Sequence, residues 1–389
     1  MLPVRTFLMP AKILIGSGAS EQIGEEAKKL GLKKSLIVTD KIMVRLNALA
    51  GIQRSLEKNG IGYTIFDGAA VEPTLEIVQA GLKSYRENQC DFLLAVGGGS
   101  PIDAAKAVSI MLTNPGSIEN YMGAGKVPYA GVPLIAIPTT AGTGSEVTQV
   151  VIITDAARNV KMLISTPFVI PRVAVVDPLL TLSCPRSLTA TIGLDALTHA
   201  VEAYVSLKAQ PLTDIYCISA IKLISGNLRS AWADGNNVEA REKVMLGAFQ
   251  AGIAFSNSSV ALVHGMSRPI GAYFHVAHGA SNAVLLKTIM EFSVTGNPAR
   301  YAQIAQAMGE DISGKTDLEG ARLAVKSVDQ LTRDLQVPSM QELGMEKDKL
   351  EQFAPKMAED AIISGSPANN PRQATKEEII GLYKIAYQR

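Results

Sequence analysis

The stretch Phe92–Leu93–Leu94–Ala95–Val96–Gly97–Gly98–Gly99–Ser100–Pro101–Ile102–Asp103 decides the fold. Its apolar run has no polar alternation, as expected of a strand buried on both faces, and such strands belong to parallel sheets covered by helices. Glycines end the run, and Pro101 stands where proline suits a first helical turn. The segment therefore reads as a strand, a tight turn and a helix. Helix-start N–H groups and the helix dipole favour a phosphate, and glycines let a ligand approach the main chain. The spacing is not GxGxxG, so a plain turn with no ligand competes on even terms.

Outward from this point, residues 12–15, 35–39, 61–66, 134–138, 147–154 and 173–176 read as extended. Residues 19–30, 41–59 and 75–88 carry helical spacing between them. Alternation of this kind implies right-handed βαβ units with helices on both faces of the sheet. After Cys184–Pro185 the strand signal ends. Residues 188–207, 211–231, 238–254, 318–335, 347–363 and 377–387 then repeat with the 3.6-residue period. The expected architecture is an α/β domain with a parallel sheet over residues 1–184 and an all-helical domain over 185–389.

At 389 residues the chain exceeds what one hydrophobic core usually organises. With 47% apolar and 19% charged residues it is globular rather than disordered. A net charge of +1 argues against nucleic acid or an anionic membrane as the main partner. No apolar run is long enough to span a bilayer, and Pro3 and Pro10 break the N-terminal apolar stretch where a signal peptide needs continuity. Cys90, Cys184 and Cys217 are too few and too scattered for a disulfide framework or a CxxC zinc site. These features lead us to expect a protein of the reducing cytoplasm.

Asp40 ends the second strand, where a carboxylate can accept hydrogen bonds from an adenosine ribose and repel a 2′-phosphate, which favours NAD over NADP. Its plainer reading is a helix N-cap before Lys41. The hydroxyl-rich loop Pro138–Thr139–Thr140–Ala141–Gly142–Thr143–Gly144–Ser145–Glu146 follows another strand and suits a nicotinamide or a pyrophosphate, or a surface turn. Gly16–Ser17–Gly18 reads as a turn only.

The chain has four histidines, and three of them (His264, His275 and His278) fall close together. Asp195 and His199 stand at i and i+4 in a helical segment, one turn apart on one face. Alone, that pair is an ordinary surface or capping contact. With His264 and His278, each followed by glycine in a charge-poor segment, it makes a carboxylate and three imidazoles suited to Fe²⁺ or Zn²⁺. Open coordination positions could then polarise an alcohol oxygen. His275 is the remaining histidine, either a proton relay or a bystander.

Taken together these residues resemble the iron-containing (group III) alcohol dehydrogenases, which have the dehydroquinate-synthase-like fold. The resemblance runs through Gly97–Ser100 with Asp103 and Lys106, residues 138–146, Asp177–Pro178, residues 193–204, residues 264–279 and Asn370–Pro371–Arg372. It implies metal ligation by Asp195, His199, His264 and His278. It also implies NAD(P) binding by Asp40, Gly97, Gly98, Gly99, Ser100, Asp103, Thr139, Thr140, Thr143 and Lys161, in a cleft between the two domains. The implied reaction is hydride transfer between nicotinamide C4 and a small primary alcohol or aldehyde, by a homodimer or a dimer-based assembly.

This sequence departs from the family pattern in three places. Arg268 stands where many members have a second histidine, Glu72 where many have asparagine before a proline, and Val150 where several have a polar residue. If Arg268 faces the cleft, its guanidinium could pair with a carboxylate, sulfonate or phosphonate at the far end of the aldehyde. A structural ion pair or a surface position is the commoner fate of an arginine. Competing functions are a glycerol-dehydrogenase-like zinc polyol oxidoreductase, a dehydroquinate-synthase-type lyase that uses NAD without net redox, and a catalytically silent metal- or nucleotide-binding assembly protein.

Overall fold

The structure is a computed structural model that describes residues 4–69, 73–155, 158 and 160–388, so Glu72 lies outside the described residues. Contacts divide the chain into two compact units, Met1–Ser183 and Cys184–Arg389.

The first unit follows the order β1 (Lys12–Ile15), α1 (Ile23–Lys29), β2 (Lys34–Val38), α2 (Lys41–Arg45), α3 (Ala50–Lys58), β3 (Gly62–Phe66), α4 (Leu75–Glu87), β4 (Phe92–Gly97) and α5 (Gly99–Met111). It continues with β5 (Gly123–Ala124), β6 (Leu134–Pro138), β7 (Val150–Asp155), β8 (Val160–Ser165) and β9 (Val173–Val176). The main sheet has strand order β1-β9-β6-β4-β2-β3, and every pairing is parallel. Side chains alternate between its faces. Leu36, Val38, Leu93 and Ala95 join the core under α4 and α5, while Ile37, Leu94 and Val96 join the core under α1 and α3. This double burial explains why β4 lacks polar alternation.

Two local expectations fail in this unit. Residues 41–59 are not one helix: α2 stops, Asn47 turns left-handed at φ 53°, and α3 begins anew. The extended run at 147–154 does not join the parallel sheet. Its strand β7 pairs antiparallel with β8 in a separate three-stranded sheet. Alternation of half-buried residues along β7 and β8 is the pattern of a sheet with one covered face.

The second unit contains α6 (Arg186–Val205), α7 (Pro211–Ala233), α8 (Val238–Asn257), α9 (Leu262–Phe274), α10 (His278–Ser293), α11 (Pro298–Ala307), α12 (Asp317–Asp334), α13 (Lys347–Ile363) and α14 (Lys376–Tyr387). No strand is assigned among its described residues. Helix α6 is the axis of the unit, buried at every position from Gly193 to Val205 and packed on α7, α8 and α10. The sequence did not announce α9, α10 and α11. The first two are buried on most sides and show no continuous polar stripe, and α9 also carries Pro269. No single helix among the described residues is long and apolar enough to cross a membrane. Helices α8 and α9 pass only as a pair, bent by 101°.

Candidate functional site

In the helical unit, one ligand atom from each of Asp195, His199, His264 and His278 lies within 4.8 Å of the others. Ligand bonds of about 2.0–2.2 Å allow two donors around one cation to stand at most about 4.4 Å apart. Small side-chain rotations therefore bring all four into bonding reach. Asp195 and His199 share one face of α6, His264 opens α9, and His278 opens α10. The glycine after each of the last two histidines has a packing reason. A Cβ at Gly265 would stand 2.6 Å from Pro367 Cγ, and one at Gly279 would stand 2.9 Å from the Thr191 carbonyl oxygen on α6.

Each donor is oriented by its surroundings. The His199 ring stacks on Phe255 with centroids 4.2 Å apart and on His264 at 4.5 Å. His264 Nδ1 lies 2.5 Å from Glu202 Oε2. An ionised Glu202 only accepts, so Nδ1 carries the proton and Nε2 presents its lone pair. Glu202 Oε1 also accepts from the Val263 N–H at 2.6 Å. The carboxylate thereby caps α9, whose own N-cap residue, Ala261, has no capping side chain. Burial pushes the Glu202 carboxyl up to about 7, against the backbone N–H groups of Ala261 and Val263 that favour its charge. Burial likewise raises the Asp195 carboxyl, with His278 and Asn282 opposing. Burial, reinforced by His199 and Arg268, holds His264 well below its usual value and so keeps it neutral, the form that ligates metal.

Asn282 reaches three of the four. Its Nδ2 lies 2.6 Å from Asp195 Oδ1, 3.1 Å from His264 Nε2 and 3.2 Å from His278 Nε2. An amide has two N–H bonds, so Nδ2 cannot serve all three neighbours at once, while Asn282 Oδ1 is buried with no hydrogen-bond partner. The polar atoms of the cluster are not all satisfied by the protein itself. That is the condition a divalent cation relieves, and the nitrogen-rich, single-carboxylate set fits Fe²⁺ or Zn²⁺.

Sequence reasoning missed Glu202 and Asn282. Both signals were present as spacing: Asp195, His199 and Glu202 follow one another at i, i+4 and i+7 on α6, and Asn282 is one turn after His278 on α10. Arg268 is one turn after His264, and its Nη1 donates to Ser366 Oγ at 3.0 Å. His275 sits elsewhere. It is the exposed C-cap of α9, left-handed at φ 56°, and is not among the four converging donors.

In the α/β unit the candidate cofactor residues apart from Lys161 gather at the carboxyl ends of β2, β4 and β6. The chain leaves β2 towards β3 through α3 on one face of the sheet, and leaves β4 towards β6 through α5 on the other. The crevice where such a sheet switches direction is where ligands bind in open α/β folds. Gly97 turns there at φ 153°, and a Cβ on it would stand 2.6 Å from Pro101 Cγ. Gly98 is the N-cap of α5, with Gly99 and Ser100 in its first turn. The Thr139 N–H donates to the Gly97 carbonyl at 2.9 Å, which ties the second loop to the first. Thr140 Oγ1 lies 3.5 Å from where a Gly98 Cβ would be, and it is buried with no hydrogen-bond partner. Thr143 packs beside Gly99 and accepts from the Ser145 N–H. A cradle without side chains beside an orphaned buried hydroxyl fits a bound phosphate or amide.

Three expected cofactor contacts are placed differently from one another. Asp40 caps α2, and the N–H groups of Ile42 and Met43 both donate to its Oδ1, so its plainer role is realised while Oδ2 lies outside the cap. Asp103 turns its carboxylate to the Ser145 hydroxyl and the Ile152 N–H. Lys161 lies exposed on β8, in the three-stranded sheet. Beneath the loops, buried Lys106 donates to Thr148 O, Thr148 Oγ1 and Val150 O, each at 2.9 Å, and so fixes the start of β7 to α5.

Comparison with known proteins gives these two sites a common context. Residues 10–178 match the family model described as iron-containing alcohol dehydrogenase, and residues 189–387 match the C-terminal model of the same family. The 1,3-propanediol dehydrogenase of Klebsiella pneumoniae is 38% identical over 384 residues, covering 98% of each chain. The NAD-dependent methanol dehydrogenase of Bacillus methanolicus is 36% identical over 381 residues, covering 98% of this chain and 99% of the relative. A crystal structure of 1,3-propanediol oxidoreductase superposes with a TM-score of 0.96 at 38% identity, covering 99% of this chain and 100% of that one.

Proposed function

The chain belongs to the iron-containing alcohol dehydrogenase family, with its dehydroquinate-synthase-like fold, and on that premise we propose a role for each of its residues. The enzyme is an NAD-linked alcohol dehydrogenase and aldehyde reductase. The observation that carries the assignment is the convergence of ligand atoms from Asp195, His199, His264 and His278 within 4.8 Å of one another.

Asp195, His199, His264 and His278 hold the divalent cation. When bound, a ferrous ion supplies Lewis acidity to an alcohol or carbonyl oxygen, and NAD(H) takes or gives the hydride. Glu202 keeps the proton on His264 Nδ1, so that Nε2 faces the donor cluster. Phe255 and His264 hold the plane of His199 by stacking. Gly97, Gly98, Gly99 and Ser100 receive the dinucleotide pyrophosphate on backbone N–H groups, and Thr140 Oγ1 supplies a hydroxyl from the facing loop, alongside Thr139 and Thr143. Asp40 accepts from the ribose with Oδ2 while Oδ1 continues to cap α2, which disfavours a 2′-phosphate. Asp103 acts at one remove, because its carboxylate is held by Ser145 and Ile152. Lys161 is the cofactor contact with least support, since it lies exposed in the smaller sheet. The three free cysteines suit a reducing cytoplasm, and the family context suits a homodimer, which light scattering would test.

The test of the whole reading is anaerobic purification with metal analysis, followed by assays on small primary alcohols and aldehydes with NAD(H) and NADP(H). Ferrous iron at one per chain and net NADH formation from a primary alcohol are expected. Zinc with activity confined to vicinal polyols would replace this reading with a glycerol-dehydrogenase-like one.

A further inference from the structure

We propose that Arg268 and Ser366 form an anion-binding subsite, so that the enzyme's preferred substrate is a short aldehyde, or the matching alcohol, that carries an acid group away from its reacting carbon. The inference rests on the dehydrogenase reading above and narrows its substrate class.

Arg268 is unlike the other buried and partly buried arginines of the helical unit. Arg241 donates to Gly235 O, Thr189 Oγ1 and Cys184 O. Arg300 donates to Tyr204 O and pairs with Asp214, and Arg372 donates to Phe292 O and pairs with Glu378. Arg268 makes one hydrogen bond, from Nη1 to Ser366 Oγ, and it enters none of the ion pairs among the described residues. It is neither fully buried nor exposed. A guanidinium has five N–H donors, so most of this one's capacity is left for solvent or a ligand.

The position of the arginine says what kind of partner. It is one turn from His264 on α9, on the same helix face. Its charge acts on both His264 and His278. The carboxylate whose field reaches it, Glu202, is already committed to His264 and Val263. Asp195, Glu202 and Arg268 together with a divalent cation leave one net positive charge, which a monoanionic substrate neutralises. Ser366 cannot retreat, because Pro367 beside it is seated against Gly265. Side chains one turn apart stand about 6 Å from one another at Cβ, which sets the acid group a few bonds from the reacting carbon and suits an aldehyde of about two to four carbons. Guanidinium and hydroxyl serve carboxylate, sulfonate and phosphonate alike, and the test separates them.

The test compares kcat/KM on the iron-loaded enzyme with NADH for malonic semialdehyde, succinic semialdehyde and phosphonoacetaldehyde against propanal and butanal. Ethanesulfonate and propionate serve as non-reacting competitors. The wild type should prefer at least one anionic aldehyde by more than about tenfold. Arg268→Ala should lower kcat/KM for that aldehyde by about thirty- to a hundredfold, with a loss on the neutral one at least tenfold smaller. Inhibition by the matching competitor should disappear. Arg268→Lys, which keeps the charge and loses the fork, should recover part of the loss. Equal losses on both aldehyde classes, or a wild type that prefers neutral aldehydes and ignores both competitors, would overturn the proposal and leave the dehydrogenase reading standing. Absence of turnover on every aldehyde and alcohol would remove that reading instead, while competitor binding by calorimetry still reports on Arg268. Should the alanine variant fail to fold, the wild-type preference and the lysine variant decide.

Discussion

In the proposed metal site around Asp195 the binding groups are side chains, and in the proposed nucleotide site around Gly97 they belong to the main chain. The helical unit buries two carboxylates, the imidazoles of His199 and His264 and an amide beside the exposed His278, and polar contacts link Glu202 to His264 and Asn282 to Asp195. The α/β unit instead leaves side chains out, so that Gly97, Gly98 and Gly99 at the start of α5 stand beside a hydroxyl loop. A site of the first kind depends on residue identity and fails when one atom changes. A site of the second kind depends on backbone conformation, and most of its side chains act as spacers. The two should therefore respond to substitution in different ways and independently of one another.

The strongest test is Asp195→Asn, which keeps the shape and removes the charge from the donor set. Fe²⁺ affinity, read by chelator competition, should fall by more than about a hundredfold, beyond the range expected for a group outside the ligand set. NADH affinity, read by fluorescence, should not move. Parallel losses of metal and nucleotide affinity would break the contrast. Glu202→Gln comes next, with a loss of about ten- to a hundredfold in Fe²⁺ affinity, because an amide in place of the carboxylate no longer fixes the proton on His264 Nδ1. The same variant weakens the cap on α9, so thermal unfolding should be followed alongside. A loss of stability with unchanged metal affinity would make Glu202 a cap and nothing more.

The same contrast explains what could be read from the sequence. The donor set was legible because histidines are rare in this chain, and the sheet was legible because strands covered on both faces form unbroken apolar runs. Glu202 stayed hidden because its meaning depends on where α9 begins, and the helical period of α9 is masked by burial on most sides. Asn282 stayed hidden because an amide one turn after a candidate ligand has no local signature until the fold aims it at Asp195 and His264. In the α/β unit the glycine loop was visible, yet Asp40 admitted two readings. The structure supplies the reason: one carboxylate oxygen takes both capping N–H groups and the other remains outside them.

Thr140 sharpens the main-chain side of the comparison. Its hydroxyl is buried with no partner, so Thr140→Val removes an unsatisfied group and should cost the free protein no stability. If that hydroxyl is held ready for the dinucleotide, the KM for NAD should rise by about tenfold, the equivalent of one ordinary hydrogen bond. A variant equal to the wild type in both stability and KM would show the orphaned hydroxyl to be a packing accident. Metal content is the control, and it should stay at one ion per chain.

The smallest effect is expected at His275. It shares a short stretch of chain with His264 and His278, and sequence proximity alone made it a candidate proton relay. In the fold it is the exposed left-handed C-cap of α9, held by its N–H to the Gly271 carbonyl at 3.1 Å, and the four donors converge without it. A positioned acid–base group contributes about a hundred- to ten-thousandfold, so a true relay would announce itself when removed. His275→Ala should lower kcat by less than about threefold, far below that range. His275→Gly, which relaxes the left-handed backbone, should if anything stabilise the turn. A loss of kcat beyond a hundredfold in the alanine variant, reversed by added imidazole, would return His275 to the catalytic machinery. Loop position, and not only the ligand helices, would then have to be counted among the devices by which the helical unit handles protons.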